Sequence, residues 1–461
     1  MTFKHTLIAI AITGLVGCAS SSDANYAQQA TNNSVVTTDA LLEKYISEQG
    51  VATTQASEAV LITDLVDIPE LKQYIETALQ NNPGLQQSIT ALKILYAQKG
   101  ITSADRLPSI DASYTGSQEE GSDESYTGDV SVSWELDLWN KLGANIAASD
   151  KDIANSQATL QEAQDVLVAN IMRSWLEISL YEQLVDIETR RLAILENNDA
   201  LVLQRYQVGL GSLKDLDDSR TSSASSRSTL AGYKESLAKS QRNLILLTGE
   251  WSADSPEIAV SATFPQVINP ISQLSDQTLA RRPDVKAAFH SIEAEALRTD
   301  YAYKAMLPSF SLSASLTSVA DNPADALLVS PLWSLLGNLS TPLFQGGALK
   351  SAAEQAELTT EQSFWVYQET LLNAVNEVEN AIGQERSLEQ QQKHLSDALA
   401  SAQRSSDNYE QSYRQGLVDI LDLLTVQQTT YDTEAQLVNA IYERLVNRID
   451  LGLALGLGYK A

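Results

Sequence analysis

The chain has 461 residues, with 31 Lys and Arg against 59 Asp and Glu, a formal net charge of −28. That balance excludes a basic nucleic-acid grip, because coating phosphates needs a positive face. One Cys and three His exclude a disulfide framework and a Cys/His-rich zinc site. Only 11 Pro are present, none of them between Pro108 and Pro256 or after Pro342, a spacing that favours long helices over several globules.

Residues 1–17 read as a signal segment. Lys4 and His5 lead into an apolar run from Leu7 to Val16, too short to span a bilayer as a helix, which needs ~20 residues. The run ends in Leu15-Val16-Gly17-Cys18, followed by Ala19-Ser20-Ser21-Ser22-Asp23. This resembles a bacterial lipobox, in which Cys18 becomes the first residue and carries diacylglycerol and an N-acyl chain. Two or three acyl chains anchor firmly where one holds only marginally. No acidic residue directly follows Cys18, so outer-membrane sorting is expected.

Three short blocks recur in order. Asn82-Pro83-Gly84-Leu85 pairs with Arg282-Pro283-Asp284-Val285, and Leu107-Pro108-Ser109-Ile110 pairs with Leu307-Pro308-Ser309-Phe310, each 200 residues on. Tyr206-Gln207-Val208-Gly209 pairs with Tyr413-Arg414-Gln415-Gly416, 207 residues on. The chain therefore reads as two copies of one unit, a period too long for a solenoid repeat. The expected divisions are an N-terminal segment 18–68, a first repeat 69–268, a linker within 251–275, a second repeat 276–451 and a tail 452–461.

Each repeat opens with a helix, 70–105 and 276–306, stopped by Pro108 and Pro308. Strands follow at 109–138 and 309–343. Ile110, Ala112 and Tyr114 alternate with Asp111, Ser113 and Thr115, and Val130, Val132, Trp134, Leu136 and Leu138 alternate with Ser131, Ser133, Glu135 and Asp137. Phe310 to Thr317 repeats the pattern, and a less regular fourth strand lies near Trp333–Leu343. A period of two places all apolar side chains on one sheet face. Runs of about ten such residues with Trp or Tyr near their ends match transmembrane strands. Four strands cannot close a barrel, since about eight is the small limit, and an open edge in lipid is forbidden. Several chains must share one barrel, and three would supply twelve strands. On that reading Asp111, Glu135 and Asp137 face the lumen.

Helical hairpins are expected over 144–250 and 346–451. Ala144–Val208 holds neither Gly nor Pro, and as one helix it would be ~98 Å long at 1.5 Å per residue. Apolar residues step by seven through Ile171, Ile178, Val185 and Leu192, and in parallel through Leu180, Ile187, Ile194 and Leu201. Leu358, Trp365 and Leu372 show the same step. Two ladders make a stripe wide enough for a neighbour on each side, as in a closed ring of helices. Gly209 and Gly416 mark the helix ends and reversals.

Arg281-Arg282-Pro283-Asp284-Val285, Ala305-Met306-Leu307-Pro308-Ser309, Trp134-Glu135-Leu136-Asp137-Leu138-Trp139, Pro342-Leu343-Phe344-Gln345-Gly346-Gly347 and the Tyr-x-x-Gly turns resemble those of the TolC-type outer membrane factors, in particular the lipoprotein, multidrug-efflux branch of that outer membrane efflux protein family. The resemblance covers nearly all of 18–461. It implies a mostly α homotrimer, internally duplicated, with a twelve-stranded β-barrel through the outer membrane continued by a long α-helical barrel. It also implies a periplasmic adaptor and an inner-membrane, commonly proton-driven, transporter as partners. The chain would be a passive exit duct for drugs or other small molecules. Protein (type I) secretion and metal efflux stay open as alternatives, as does a non-pore structural lipoprotein. No P-loop, Gly-x-Ser-x-Gly or His-Glu-x-x-His pattern suggests an enzyme, and no cofactor is expected beyond the Cys18 lipid.

The resemblance also places the gate at the periplasmic tip. By motif, Tyr413 precedes Gly416 by three residues and Asp215 follows Gly209 by six, which makes a Tyr413–Asp215 hydrogen bond the expected latch. Asp422 matches an aspartate-ring position, Asp419 is an additional acid at the mouth, and Thr425 stands where many members have Asp. Carboxylate rings favour cations; alternatively, Asp419 and Asp422 are helix-starting acids stabilised by the N-terminal dipole.

Overall fold

A computed structural model describes residues 25–35, 61–66, 68–251, 258, 263–270, 279–327 and 329–459. Cys18 and the signal segment lie outside the described residues. The elements, in order, are α1 (26–35), α2 (Pro69–Asn81), α3 (Pro83–Ala104), β1 (Ser109–Ser117), β2 (Ser125–Leu136), α4 (Lys141–Gln207), α5 (Leu213–Leu247), α6 (Pro283–Lys304), β3 (Ser309–Ala320), β4 (Leu332–Ser340), α7 (Ala348–Arg414) and α8 (Ile420–Ala454). Among the described residues no helix is long and apolar enough to cross a membrane.

The duplication is carried into structure element by element. α3 and α6 have 22 residues each, α4 and α7 have 67 each, and α5 and α8 have 35 each. The offset is 200 residues from α3 to α6 and from the start of β1 to that of β3, and 207 from the start of β2 to that of β4 onward. The extra seven residues therefore sit in the second strand hairpin, and from there to the end of α8 the two halves stay in register.

Two compact bodies share the chain. Among the described residues, the first combines 25–35, 89–159 and 284–371; the second combines 61–88, 160–283 and 372–459. The first body holds one four-stranded antiparallel sheet in the order β1-β2-β3-β4. Its rows follow the alternation. Ile110, Val132, Ala314 and Leu335 align across all four strands, as do Ala112, Val130, Leu316 and Trp333. The intervening row is Asp111, Ser131, Ser315 and Ser334. One face is thus aliphatic and aromatic, and the other is mostly Ser, Thr and Asp, with Leu332 and Leu336 on the polar face of β4 as the irregularity. β1 and β4 are exposed along all nine residues of each. They are the sheet's two unpaired edges among the described residues.

Aromatic residues mark both ends of the apolar face. Trp134 and Trp139 lie near the helix-proximal end, where their indole N–H groups donate to the carbonyls of Arg106 (3.0 Å) and Pro308 (2.6 Å). Tyr114 and Tyr126 stack at the far end, their ring centroids 6.4 Å apart. Tyr114 is paired with Gly128 and Tyr126 with Gly116, so each ring has a glycine opposite it. At ~3.3 Å per residue, Tyr126 and Trp134 on the same strand are ~26 Å apart, close to the ~25 Å apolar band of a membrane barrel. In the same body α1 rests on α7: Tyr367 donates to the Ala30 carbonyl at 3.0 Å, and Tyr26 meets Phe364 with centroids 5.3 Å apart.

Four boundaries differ from the sequence reading. The helix expected over 70–105 is two helices, because Pro83 has no N–H to continue α2 and the Asn82 carboxamide caps α3 by accepting from Leu85 N–H (3.0 Å). The helix expected from 276 starts at Pro283, after a short 3₁₀ turn at Leu279–Arg281. Asp137 lies past the end of β2, outside the strand. The tail is organised: α8 runs through Gly452 to Ala454, Gly458 accepts from Ile62 N–H (3.1 Å), and Tyr459 N–H donates to the buried Asp165 carboxylate (2.7 Å). A Cβ at Gly452 would stand 2.7 Å from the Leu65 side chain, which would have to shift to admit it.

Candidate functional site

The hairpin tips in the second body are built twice to one plan. After α4, Gly209 takes φ 78°, its N–H donates to the Tyr206 carbonyl (3.0 Å), and Leu210 N–H donates to the Arg205 carbonyl (2.8 Å). After α7, Gly416 takes φ 74°, its N–H donates to the Tyr413 carbonyl (2.9 Å), and Leu417 N–H donates to the Ser412 carbonyl (2.9 Å). Both are Schellman closures, which need a residue able to adopt the left-handed region. Leu210 and Leu417 are each 72% exposed, so both tips present an unburied leucine.

The return helices start with side-chain caps at equivalent positions. Ser212 accepts from Asp215 N–H (3.1 Å), and the Asp215 carboxylate accepts from Ser212 N–H (3.1 Å). Asp419 accepts from Ile420 N–H at 2.5 Å. Hydrogen bonding from Ser212 holds the Asp215 carboxyl below its ordinary range. A cleft of about 500 Å³ opens between the tips, lined by Val202, Arg205, Gly209, Leu210, Gly211, Ser212, Asp215, Asp419 and Ile420.

The cleft unites Asp215 and Asp419 but not Tyr413. No Tyr413–Asp215 hydrogen bond is formed; the Tyr413 side chain packs instead on the apolar cluster of Leu195, Val202, Leu216, Ile420, Leu423 and Leu424. The reason is local competition, because Ser212 N–H, at a helix start and without an intrahelical acceptor, is three residues from Asp215 and donates to its carboxylate. Asp422 is exposed in the first turn of α8, and the Thr425 hydroxyl donates to the Leu421 carbonyl (2.9 Å), a bond within its own helix. Among the described residues no group of three or more potential metal ligands is assembled.

The three strand acids have different surroundings. Asp111 stands exposed in the polar row of β1. Glu135 accepts an ion pair from Lys141 at 2.6 Å. The Asp137 carboxylate accepts from Leu142 N–H (3.0 Å) and Gly143 N–H (2.8 Å), and its side chain is 5% exposed. It caps α4 and is not a lumen acid, a correction of its strand assignment. Sequence reasoning missed Arg205 and Ser212 in the cleft, although Ser212-x-x-Asp215 is a legible capping pattern. It also missed what Arg282 does: buried, it donates to the Ala454 carbonyl (3.1 Å) at the end of α8 and pairs with Glu377 of α7 (2.7 Å).

The sequence profile of the outer membrane efflux protein family matches residues 74–250 and 274–457. The chain is similar to the probable outer membrane lipoprotein SilC of Salmonella typhimurium, 27% identical over 399 residues that cover 85% of this chain and 86% of that protein. The cation efflux system protein CusC of Escherichia coli K12 is 25% identical over 396 residues, 84% of this chain and 87% of CusC. A crystal structure of CusC superposes with a TM-score of 0.74 at 24% identity, covering 87% of this chain and 95% of that one. The toluene efflux pump outer membrane protein TtgC of Pseudomonas putida is 24% identical over 404 residues, 85% of this chain and 84% of TtgC. With both repeats matched and the fold shared, the chain belongs to the outer membrane efflux protein family, whose members are outer-membrane channels and not enzymes.

Proposed function

We propose that three copies of this chain close a twelve-stranded barrel in the outer membrane, and that the assembly is the passive exit duct of a tripartite efflux system. The observation that carries this reading is the sheet. It has an apolar face of membrane height and, among the described residues, two edges without partners, which lipid does not tolerate. Joining β1 of one copy to β4 of the next satisfies both edges at once. The Ser, Thr and Asp face then lines the lumen. A periplasmic adaptor opens the helical end and an inner-membrane transporter, proton-driven on the family resemblance, supplies the energy. Cys18 carries the lipid that ties the chain to the outer membrane.

The helical tips are the constriction. Asp215, Asp419 and Asp422 concentrate carboxylates there, and threefold repetition makes rings of them. The substrate belongs to the pump. TtgC by its name serves toluene efflux and CusC cation efflux. Three Met and three His leave this chain few soft or imidazole ligands of its own, which favours organic cargo over a soft metal. The test is reconstitution of the acylated protein into planar bilayers, with oligomer mass measured in detergent. A conducting trimer is expected, whereas a soluble, non-conducting monomer overturns the reading. Asp422→Ala is expected to change single-channel conductance and to relieve block by added divalent cations. Unchanged block would remove Asp422 from the constriction.

A further inference from the structure

The loop after β3 folds back onto the sheet instead of standing clear of it. Tyr114, Gly128 and Ser318 align across β1, β2 and β3, in a row of the apolar face. Each of the three meets the loop. The Tyr114 hydroxyl donates to the Pro323 carbonyl (3.1 Å), and the Ser318 hydroxyl donates to the Asp325 carbonyl (3.1 Å). Between them, a Cβ on Gly128 would stand 2.1 Å from the Ala326 carbonyl oxygen, so the loop is seated where a side chain is missing. Ala326 and Ser318 are both buried. Residues 321–327 therefore lie across three strands. The strand hairpin that carries them is the longer of the two, with 321–331 between its strands against 118–124 in the first.

The loop supplies partners for its own backbone. Pro323 has no N–H, and its carbonyl is taken by Tyr114. Asp325 N–H donates to the Asn322 side-chain oxygen (3.0 Å), and Leu327 N–H donates to the Ala324 carbonyl (3.2 Å). The Asn322 amide in turn donates to the Asp325 carboxylate (2.6 Å). Irregular backbone is tolerated beside lipid only where its polar groups have such partners. The loop also carries both characters that an interface needs. Asp321, Asn322 and Asp325 are exposed polar groups, and Leu327 is an exposed apolar one.

We infer that residues 321–327 are a strap on the outside of the barrel, set in the headgroup layer of the outer leaflet with Leu327 against acyl chains, and that this loop does not cover the pore mouth. This rests on the barrel proposed above, which turns the apolar face toward lipid. On that face the strap lies at the height of the stacked Tyr114 and Tyr126 rings, and aromatic girdles mark the boundary between hydrocarbon and headgroups. The strand ends that carry it are those remote from the helices, which makes them the extracellular ends. The partner is a lipid surface, because the row that seats the strap belongs to the face opposite the lumen. Three copies place three straps around the rim, all outside the conducting path.

The test uses the full acylated protein in phospholipid vesicles. Cys18 is the sole cysteine and carries the lipid on the reading above, so an added cysteine is the one free thiol. Ion conductance first establishes a channel; its absence overturns the barrel itself. Bimane labels on Val130→Cys, from the apolar face, and on Ser131→Cys, from the polar face, then give the lipid and lumen references. The label on Leu327→Cys is expected to be quenched by nitroxide-bearing phospholipid about as strongly as the label at 130, and severalfold more than the label at 131. A conducting channel whose label at 327 behaves like that at 131, quenched by iodide and not by the lipid, overturns the strap and leaves the barrel standing. Gly128→Val should unseat the strap and lower the lipid quenching at 327 severalfold. Tyr114→Phe, which removes only the hydroxyl, should lower it to a smaller degree and serves where Gly128→Val does not assemble. Lipid quenching unchanged by either substitution in an assembled channel would overturn the seat on the Tyr114, Gly128 and Ser318 row.

Discussion

At Gly209 and Gly416 the backbone is left-handed, with φ near +75° in each, and the same pair of N–H groups closes each helix. A Cβ there meets no neighbouring atom, so the demand is purely conformational. Replacing either Gly by Ala is expected to cost about 1–2 kcal/mol and to speed amide exchange at that tip alone. Asp215 adds a titratable latch to the first tip. Its folded carboxyl lies below the unfolded value, so its contribution is present above about pH 4 and is lost as pH falls through the lower, folded value. Exchange at the Ser212 amide should therefore show an acid step in the wild type and none in Asp215→Asn. Ser212→Ala should cost about 1 kcal/mol at any pH, since the hydroxyl is an N-cap.

The strands and the long helices show how far periodicity reaches. Alternation alone predicts which residues share a face, and the observed rows agree across β1 to β4. The two faces should respond oppositely to charge. Val132→Arg, on the apolar face, is expected to cost about 2–4 kcal/mol and to block outer-membrane assembly, whereas Ser131→Arg, one residue away, should assemble and shift only ion selectivity. Comparing the heat-resistant oligomer fraction of the two variants checks this. Periodicity fails at junctions. Asp137 continues the alternation of β2 yet bends away to cap α4, because two orphan N–H groups at a helix start outweigh one more exposed strand position. Asp137→Ala should cost about 1–3 kcal/mol and lower the melting temperature without changing conductance, since it leaves two N–H groups unpaired.

For the whole molecule the duplication is the organising fact. Identical helix lengths in the two halves give two hairpins of one design, but the halves are not interchangeable. The first hairpin's groove is filled by the second hairpin's α8, and the second hairpin's groove is open and polar. The net charge of −28 and the carboxylates at the tips predict a cation-preferring pore. A reversal potential measured across a salt gradient in planar bilayers should carry the sign of cation selectivity, and the opposite sign would exclude an acidic constriction.

The linear chain determined the repeats, the strand faces, the long helices and the glycine turns, because each depends on residues near in sequence or on a fixed period. Tertiary structure alone decided how donors were shared out. Whether the Asp215 carboxylate takes Ser212 N–H or a tyrosine hydroxyl, whether Asp137 lines a sheet or caps a helix, and whether Arg282 reaches the last carbonyls of α8 are competitions between groups whose separation only the fold sets. Local donors win these contests, since a nearby N–H costs less chain ordering to reach than a distant partner does. The same holds for the seams. Composition cannot show that the leucine face of α4 is already covered while the glutamine face of α7 is not; that needs the helices in place.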